Sequence, residues 1–230
     1  MKIKTALILC AGFGKRLNPL TIEKPKPLLE VNGITLLENT INLVKSLNIS
    51  NIKINSYYLK DQIRNFISNK KFNINIEIVE DGIEILDTGG GILNLVKKSK
   101  EEHFLVFNPD TIWNFKYADT IREMENFYFK NKIENLLMVV NKDKSFDKRF
   151  KGDFDLKIDH LTKDEKVNNY IFTGCQIINK NLLLKFDDKN FSITKIWNNL
   201  INQNKLYGFK SLNEFVHVTD IEIYKKLVKN

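Results

Sequence analysis

Short runs of apolar residues alternate along the chain with longer stretches in which apolar residues recur at helical spacing. The short runs predict strands at residues 4–10, 52–56, 75–79, 104–107, 136–140, 171–178 and 215–218. The longer stretches predict helices at residues 36–47, 63–67, 92–98, 117–130, 193–202 and from 219 onward. Because strands alternate with helices, the pattern predicts an α/β fold, a mostly parallel, doubly wound, Rossmann-like sheet with helices on both faces.

Three shorter patterns refine this prediction. The Asn-Gly pair at residues 32–33 predicts a type I′ turn and a small hairpin. Apolar residues alternate with polar ones across residues 154–158, which predicts a further strand ending at Ile158. Residues 219–222 read Thr-Asp-Ile-Glu, the spacing of a capping box at the start of the last helix.

Length and composition indicate one globular domain. A chain of 230 residues can bury one sizeable core, and no apolar run approaches the roughly 18 residues that a membrane span needs. The first predicted strand begins within a few residues of Met1 and leaves no room for a signal peptide, so we expect a cytoplasmic protein. Cys10 and Cys175 each lie in an apolar run, and we expect both to be buried and reduced.

The net charge of +8 allows two interpretations, nucleic-acid binding or a lysine-rich solvated surface. The lysines are scattered among asparagines and isoleucines and form no dense basic tract. We therefore expect no nucleic-acid partner, and a surface whose charge attracts polyanionic substrates.

A glycine-rich loop follows the first predicted strand. Gly12 and Gly14 lack side chains, so backbone N–H groups there can approach an anion and the chain can adopt positive φ. Arg16 adds a planar fork that suits phosphate oxygens. Farther on, Lys26 lies between two prolines, which reduce the conformational entropy lost in placing its ammonium. Together these residues predict a phosphate-binding site.

Two common phosphate loops are excluded. A P-loop requires Ser or Thr directly after its Gly-Lys pair, but Gly14-Lys15 is followed by Arg16. The dinucleotide-binding motif requires a third glycine where this chain has Leu17.

Asp110 follows the apolar strand at 104–107 and belongs to the same predicted sheet edge as the glycine loop. An unpaired carboxylate there is costly unless it is solvated or metal-bound. Taken alone, Asp110 is equally consistent with a turn residue and with a metal ligand.

These motifs resemble those of the sugar-1-phosphate nucleotidyltransferases, whose opening motif is Gly-x-Gly-x-Arg-Leu-x-Pro-Leu-Thr followed by Pro-Lys-Pro. Other matching segments follow in the family's order: Thr88-Gly89-Gly90-Gly91-Ile92, Asn108-Pro109-Asp110-Thr111-Ile112-Trp113, Gly152-Asp153-Phe154 and Phe172-Thr173-Gly174. Of these segments, Thr-Gly-Gly-Gly-Ile and Gly-Asp-Phe most resemble the N-acetylmuramate-1-phosphate uridylyltransferase branch.

The resemblance implies a GT-A type fold with a small sugar-binding β region, with the nucleotide bound by about residues 1–140 and the sugar phosphate by about 141–230. In the implied reaction, a sugar 1-phosphate oxygen attacks the α-phosphorus of a nucleoside triphosphate and pyrophosphate leaves. The nucleophile has a second pKa of about 6, so it needs no general base at neutral pH. The resemblance implies a catalytic role for three residues. Arg16 would bind the triphosphate, Lys26 would bind the phosphoryl group in transfer, and Asp110 would bind Mg²⁺.

The resemblance also assigns binding residues. It places the nucleotide against Ala11, Gly12, Gly14, Thr88, Gly89, Gly90 and Asn108, and the sugar against Asp153, Thr173 and Gly174. Gly89 and Gly90 would let the backbone contact the base. A plain helix start, capped by Thr88 or Asp87, is equally compatible with that segment.

The largest departure from the family lies at residues 216–220. Relatives often have Val-Asp-Val-Gly-Thr there, with the Asp as second metal ligand, whereas this chain has Val-His-Val-Thr-Asp. His217 occupies the ligand position, and three readings stay open. His217 binds the metal, or it contacts phosphate, or Asp220 substitutes for it, although a capping role favours a helix-dipole function for Asp220.

We therefore expect a uridylyltransferase that acts on N-acetylmuramate 1-phosphate with Mg²⁺. The alternatives are transfer of guanylyl or another nucleotidyl group to mannose or heptose 1-phosphate, and a non-catalytic nucleotide-sugar-binding regulator. The expected partners are the two substrates, and the expected state is a monomer or a small homo-oligomer without membrane attachment.

Overall fold

The computed structural model describes residues 2–164 and 167–229. Its strands are β1 (Thr5–Leu9), β2 (Glu30–Val31), β3 (Ile34–Thr35), β4 (Asn51–Ser56), β5 (Asn75–Glu80), β6 (His103–Phe107), β7 (Asn135–Asn141), β8 (Asp155–Lys157), β9 (His160–Thr162), β10 (Tyr170–Asn179) and β11 (Tyr207–Ser211). Its α-helices are α1 (Leu20–Glu23), α2 (Leu36–Ser46), α3 (Lys60–Asn69), α4 (Asp87–Val96), α5 (Lys116–Lys130), α6 (Lys180–Leu183), α7 (Thr194–Asn202) and α8 (Ile221–Val228).

Nine of the described strands form one mixed sheet in the order β5-β4-β1-β6-β10-β7-β11-β9-β8. The pairings make seven of these strands run in one direction, while β9 and β10 run in the other. The predicted mostly parallel α/β fold is therefore confirmed. β10 pairs with both β6 and β7, so it lies between two strands that come earlier in the chain.

Helices cover both faces of the sheet because adjacent residues of a strand point to opposite sides. Ile8 of β1 packs in one core with Ile41 of α2 and Ile121 of α5. Its neighbour Leu7 packs in a second core on the other face, which α4 and α7 cover. Strands buried on both faces account for the near-continuous apolar runs of the sequence.

Several local predictions are confirmed. β2 and β3 form the small hairpin, with Asn32 and Gly33 at φ 55° and 76°, as a type I′ turn requires. Cys10 and Cys175 are buried, and burial raises the pKa of both thiols. None of the helices in the described part of the chain is long and apolar enough to cross a membrane.

Three local predictions are wrong, and one strand was not predicted. Residues 215–218 form only isolated bridges, Thr111 with His217 and Ser145 with Phe215, because they lie between two loops and not beside a strand. The unpredicted strand β11 pairs parallel with β7 in that part of the sheet. Ile158 lies outside β8, at φ 58° in the β8–β9 connection, and its side chain is exposed.

The fourth correction concerns the last helix. Asp220, and not Thr219, caps α8, because the Asp220 carboxylate accepts hydrogen bonds from the N–H groups of Glu222 and Ile223. An aspartate is as good an N-cap as a threonine, so the spacing alone did not choose between the two neighbours.

Candidate active site

The glycine loop leaves β1 and forms one side of a cleft. Gly14 adopts φ +65° and precedes a single 3-10 turn, Lys15–Leu17. The Thr21 hydroxyl donates to the Gly14 carbonyl at 2.9 Å, and a Cβ on Gly14 would lie 3.0 Å from the Thr21 side chain. At Gly12 a Cβ would meet nothing within 4 Å, so the loop is open to the cleft there.

The cleft runs along the carboxyl ends of β1, β4 and β6, the edge of an open α/β sheet at which ligands bind. It is lined by Leu9, Cys10, Ala11, Gly12, Gly14, Lys26, Pro27, Asn55, Ile85, Asp87, Thr88, Asn108, Pro109 and Asp110. Seven of the residues that the sequence analysis singled out are therefore brought into one cleft: Ala11, Gly12, Gly14, Lys26, Thr88, Asn108 and Asp110.

Lys26 and Asp110 form an ion pair at the base of this cleft. The Lys26 ammonium lies 2.6 Å from Asp110 Oδ2, and the two side chains are only 13% and 19% exposed. Burial opposes ionisation of Asp110. At the low pH where this carboxyl titrates, a protonated His217 and the Lys26 ammonium outweigh burial and lower the pKa of Asp110 to about 2. Asp110 is therefore a carboxylate at neutral pH.

His217 completes the cluster. Its Nε2 lies 3.6 Å from Asp110 Oδ2, and its Nδ1 lies 3.4 Å from Thr111 Oγ1. Burial lowers the pKa of His217, so the imidazole is neutral near pH 7 and Lys26 carries the charge that balances Asp110. Because the Thr111 hydroxyl donates its proton to the Thr173 carbonyl, Nδ1 must be the donor to Thr111, which leaves the Nε2 lone pair facing Asp110.

The residues present fit a divalent cation. Asp110 Oδ1 is buried and has no hydrogen-bond partner, and the Nε2 lone pair of His217 faces the same carboxylate. The described residues contain no group of three or more His, Cys, Asp or Glu side chains that could hold a metal. Mg²⁺ is commonly bound by one or two carboxylates together with substrate phosphates and water, so this small donor set suffices.

Arg16 is exposed, and within the described residues its guanidinium has no hydrogen bond or ion pair. Its positive charge is among the causes that lower the pKa of His217. Lys26 and Asp110 line the first cleft, whereas Arg16 lies outside its lining.

The diglycine segment differs from expectation. α4 begins at Asp87 and is preceded by Leu86, so neither Thr88 nor Asp87 is the cap. Gly89 and Gly90 are buried inside the helix and line no part of the cleft.

Their lack of side chains serves packing within the chain. A Cβ on Gly90 would lie 2.1 Å from the Lys189 carbonyl oxygen, and a Cβ on Gly89 would lie 2.4 Å from the Phe191 ring. The Gly90 N–H already donates to the Phe191 carbonyl at 3.0 Å, and the contact of this segment's backbone with a base stays a prediction. Thr88 does line the cleft, and its Oγ1 accepts a hydrogen bond from the Ile193 N–H.

The three predicted sugar-side residues occupy two places. Thr173 is fully buried, and its hydroxyl donates to the Met138 carbonyl at 3.0 Å. Gly174, at φ +86°, accepts a hydrogen bond from the Asn108 N–H at 2.8 Å. Thr173 and Gly174 thus accept hydrogen bonds from the turn that carries Asp110, and neither residue lines the cleft.

Asp153 lies elsewhere. It lines a second depression with Gly152, Phe154, Lys163, Phe172, Thr194, Trp197 and Asn198, none of which lines the first cleft. Its Oδ2 accepts a hydrogen bond from the Phe172 N–H at 2.9 Å, and burial raises the pKa of this carboxyl.

The sequence analysis missed Asn55. This residue accepts a hydrogen bond from the Cys10 N–H at 2.9 Å and donates to the buried carboxylate of Asp81 at 3.1 Å. It thereby fixes the start of the glycine loop to the end of β4. The available signal was an asparagine at the carboxyl end of a predicted strand, the edge at which ligands bind in this fold.

The sequence profile described as Nucleotidyl transferase matches residues 5–150. The chain belongs to this family. The resemblance inferred from the motifs, and with it the enzyme class, is confirmed. The matched range of this nucleotidyltransferase includes the whole first cleft.

Several curated proteins are similar over much of the nucleotidyltransferase. N-acetylmuramate alpha-1-phosphate uridylyltransferase of Caulobacter vibrioides is 24% identical over 94% of this chain and 92% of its own length. A mannose-1-phosphate guanyltransferase of Hypocrea jecorina is 28% identical over 88% of this chain and 57% of its own. The bifunctional protein GlmU of Methanocaldococcus jannaschii is 36% identical, but the match covers 53% of this chain and only 30% of that protein.

Solved structures share the fold of the nucleotidyltransferase. HddC of Yersinia pseudotuberculosis superposes with a TM-score of 0.78 at 20% identity, covering 99% of both chains. A UDP-glucose pyrophosphorylase complexed with UDP-glucose gives a TM-score of 0.79 at 13% identity, covering 99% and 97%. At these identities the likeness concerns the fold alone.

Proposed function

We propose that this nucleotidyltransferase transfers a uridylyl group from UTP to N-acetylmuramate 1-phosphate, with Mg²⁺, and releases pyrophosphate. The observation that carries the transfer chemistry is the buried Lys26–Asp110 pair, whose second carboxylate oxygen lacks a partner, at the base of a glycine-lined cleft. The choice of substrates is supported by the similarity to the Caulobacter uridylyltransferase, which extends over nearly the full length of both proteins.

In the proposed reaction the protein mainly positions and neutralises charge. The two substrates are polyanions, and the attacking phosphate oxygen is largely ionised at neutral pH. Arg16, exposed and free of other partners among the described residues, binds the triphosphate as it enters the cleft. Lys26 moves its ammonium from Asp110 to the phosphoryl group in transit, which lowers the repulsion between the two reactants.

Asp110 and His217 would hold the metal, Asp110 through its unpartnered Oδ1 and His217 through Nε2. When bound, Mg²⁺ supplies positive charge to the phosphate oxygens and to the departing pyrophosphate. Thr111 keeps the imidazole in the tautomer that presents its lone pair to Asp110. Backbone N–H groups of the open glycine loop direct fixed dipoles toward the bound phosphates.

The decisive experiment measures pyrophosphate release by the purified protein with Mg²⁺, each of four nucleoside triphosphates and a panel of sugar 1-phosphates. We expect the fastest turnover with UTP and N-acetylmuramate 1-phosphate. Faster turnover with another pair would replace the proposed substrates and leave the transfer chemistry intact. Binding of nucleotide without turnover in any combination would instead support a non-catalytic regulator.

The similarity to mannose-1-phosphate guanyltransferase, over 88% of this chain, supports a second candidate, guanylyl transfer to mannose or heptose 1-phosphate. GTP with mannose 1-phosphate therefore belongs in the substrate panel.

A further inference from the structure

The segment that carries His217 is not part of a sheet ladder, so other contacts must hold it beside Asp110. The Val218 N–H donates to the Asp110 carbonyl at 2.8 Å. On the other side, the Phe215 N–H donates to the Lys144 carbonyl at 3.0 Å. Residues 215–218 are therefore hydrogen-bonded on one side to the turn that carries Asp110 and on the other to the loop at residues 142–150.

The imidazole of His217 is oriented by two phenyl rings. The Phe215 ring stacks on it, with centroids 5.7 Å apart and an interplanar angle of 23°. The Phe150 ring meets it edge-on at 6.1 Å and 67°. One of these rings comes from the neighbouring loop, so the position of that loop determines the position of the imidazole.

Arg149 fixes this loop. Its Nε and Nη2 each lie 2.8 Å from the carboxylate oxygens of Asp147, and its own backbone N–H donates to the same carboxylate at 3.0 Å. Asp147 is buried, whereas the Arg149 side chain is 48% exposed. The same guanidinium also binds Asp220 at 2.7 Å through Nη2 and Glu222 at 3.0 Å through Nη1.

These contacts join the loop to the first turn of α8, because Asp220 is the N-cap of that helix. His217 thus lies between two attachments of its segment to the loop, at Phe215 through the backbone and at Asp220 through Arg149. We propose that Arg149 is a positioning residue for transfer, since it holds Phe150 and the 215–220 segment so that His217 faces Asp110. This inference rests on the proposed function.

Loss of the guanidinium leaves the buried Asp147 carboxylate without its arginine partner and should lower the stability of the protein. The loss is only part of a domain's free energy of unfolding, so Arg149→Ala should stay folded at the assay temperature. In the Arg149→Ala variant we expect kcat to fall by about ten- to hundredfold, while KM for UTP changes by no more than about twofold. Arg149→Lys should not restore the rate, because a single ammonium cannot bridge three carboxylates as the planar fork does.

Arg122→Ala is the matched control. Arg122 is also half-exposed and also pairs with a carboxylate, Asp119, but it lies on α5. Its loss should leave kcat unchanged. If Arg122→Ala lowered kcat as much as Arg149→Ala does, the positioning role would be rejected.

A double-mutant cycle distinguishes positioning from a general structural effect. If Arg149 acts through His217, the Arg149→Ala/His217→Ala double variant should turn over within about twofold of His217→Ala alone. A fall in kcat of the double variant equal to the product of the two single-variant falls would overturn the proposal.

A second measurement does not depend on turnover. The protein has three histidines, so long-range ¹H–¹⁵N spectra can follow each imidazole separately. In Arg149→Ala the ring signals of His217 should shift while those of His103 and His160 stay in place. An unmoved His217 signal would contradict the positioning role, whether or not the wild-type protein releases pyrophosphate. Absence of pyrophosphate release would by itself reject only the proposed function.

Should Arg149→Ala fail to fold, Phe150→Leu removes the ring contact and leaves the arginine network intact. It should shift the same His217 signals and lower kcat without raising KM for UTP. Wild-type spectra and rates for Phe150→Leu would then overturn the proposal.

Discussion

Asp110 uses one carboxylate oxygen for Lys26 and keeps the other buried without a partner. A buried acceptor is costly when it is left unpaired, and in native proteins such atoms often mark a function. Thr173 and Gly174 support the turn that carries Asp110, and Thr111 sets the tautomer of the histidine that faces it. The surroundings of this carboxylate thus keep it ionised and hold it in place, with one oxygen unpaired.

We predict that Asp110→Asn lowers kcat for pyrophosphate release by about two to three orders of magnitude, because the amide neither balances Lys26 nor offers a charged ligand to a cation. Asp119→Asn, an exposed carboxylate of α5, should leave kcat unchanged. His217→Ala should be slower than wild type but faster than Asp110→Asn. An equal loss in both variants would identify His217 as an indispensable ligand, and wild-type turnover by Asp110→Asn would remove Asp110 from the mechanism.

α4 shows that the glycines of a sequence motif can be needed for packing within the chain. Its glycines match the family motif, yet Gly89 and Gly90 are used to seat residues 189–191 against the helix. The start of α4 is also linked to α7, because the Thr88 hydroxyl accepts a hydrogen bond from the N–H of Ile193, directly before that helix.

Gly90→Ala should destabilise the protein by about 1–3 kcal/mol, because the new methyl group would lie 2.1 Å from a backbone oxygen that cannot rotate away. Gly12→Ala provides the comparison, since a Cβ there meets nothing within 4 Å. Thermal unfolding should place Gly90→Ala well below wild type and Gly12→Ala near it. Equal stability of Gly90→Ala and wild type would show that the 189–191 contact is not maintained.

The loop at residues 142–150 and α8 are held together by a buried carboxylate with a strongly lowered pKa. The hydrogen bond from Arg149 is the main cause, and it lowers the pKa of Asp147 to about 2. Because the folded-state pKa lies below the unfolded value of about 3.9, this stabilisation is fully present above about pH 4 and is lost as the pH falls through about 2.

Asp147→Asn should therefore lower the free energy of unfolding at pH 7 by about 2 kcal/mol, and the difference from wild type should shrink as the pH approaches 3. Urea unfolding at a series of pH values measures this difference. Asp61→Asn, which removes an exposed carboxylate on α3, should show almost no effect at any of them. A difference that is constant from pH 7 to pH 3 would mean that the lost contacts do not depend on the Asp147 charge.

The positive charge of the whole molecule bears on how substrates arrive. With a net charge of +8 and Arg16 exposed near the cleft, the approach of a nucleoside triphosphate should be accelerated electrostatically. Raising the ionic strength from about 0.1 M to about 1 M shortens the Debye length from about 10 Å to about 3 Å. We predict a several-fold fall in kcat/KM for the triphosphate, with kcat nearly unchanged, in steady-state assays at increasing potassium glutamate. A parallel fall of both constants would instead point to a salt effect on the chemical step.

The fold class could be predicted because strands buried on both faces give apolar runs that local sequence reveals. β11 could not, since Gly208 interrupts its run and its strand character depends on pairing with β7. The glycine loop, Lys26 and Asp110 could be assembled because parallel strands end at one edge, whereas Arg149 and Phe150 act through partners about 70 residues away that no local pattern shows. The cytoplasmic location and the division of the halves between nucleotide and sugar stay predictions.

β10 lies between β6 and β7, hydrogen-bonded to both. The later part of the chain therefore contributes a strand to the middle of the sheet and does not form a separate unit. Exchanging that part with the same part of a relative would replace a strand that is hydrogen-bonded on both sides, and so would disturb the centre of the sheet. Changes to this part of the protein are therefore better made by replacing individual side chains than by exchanging the whole segment.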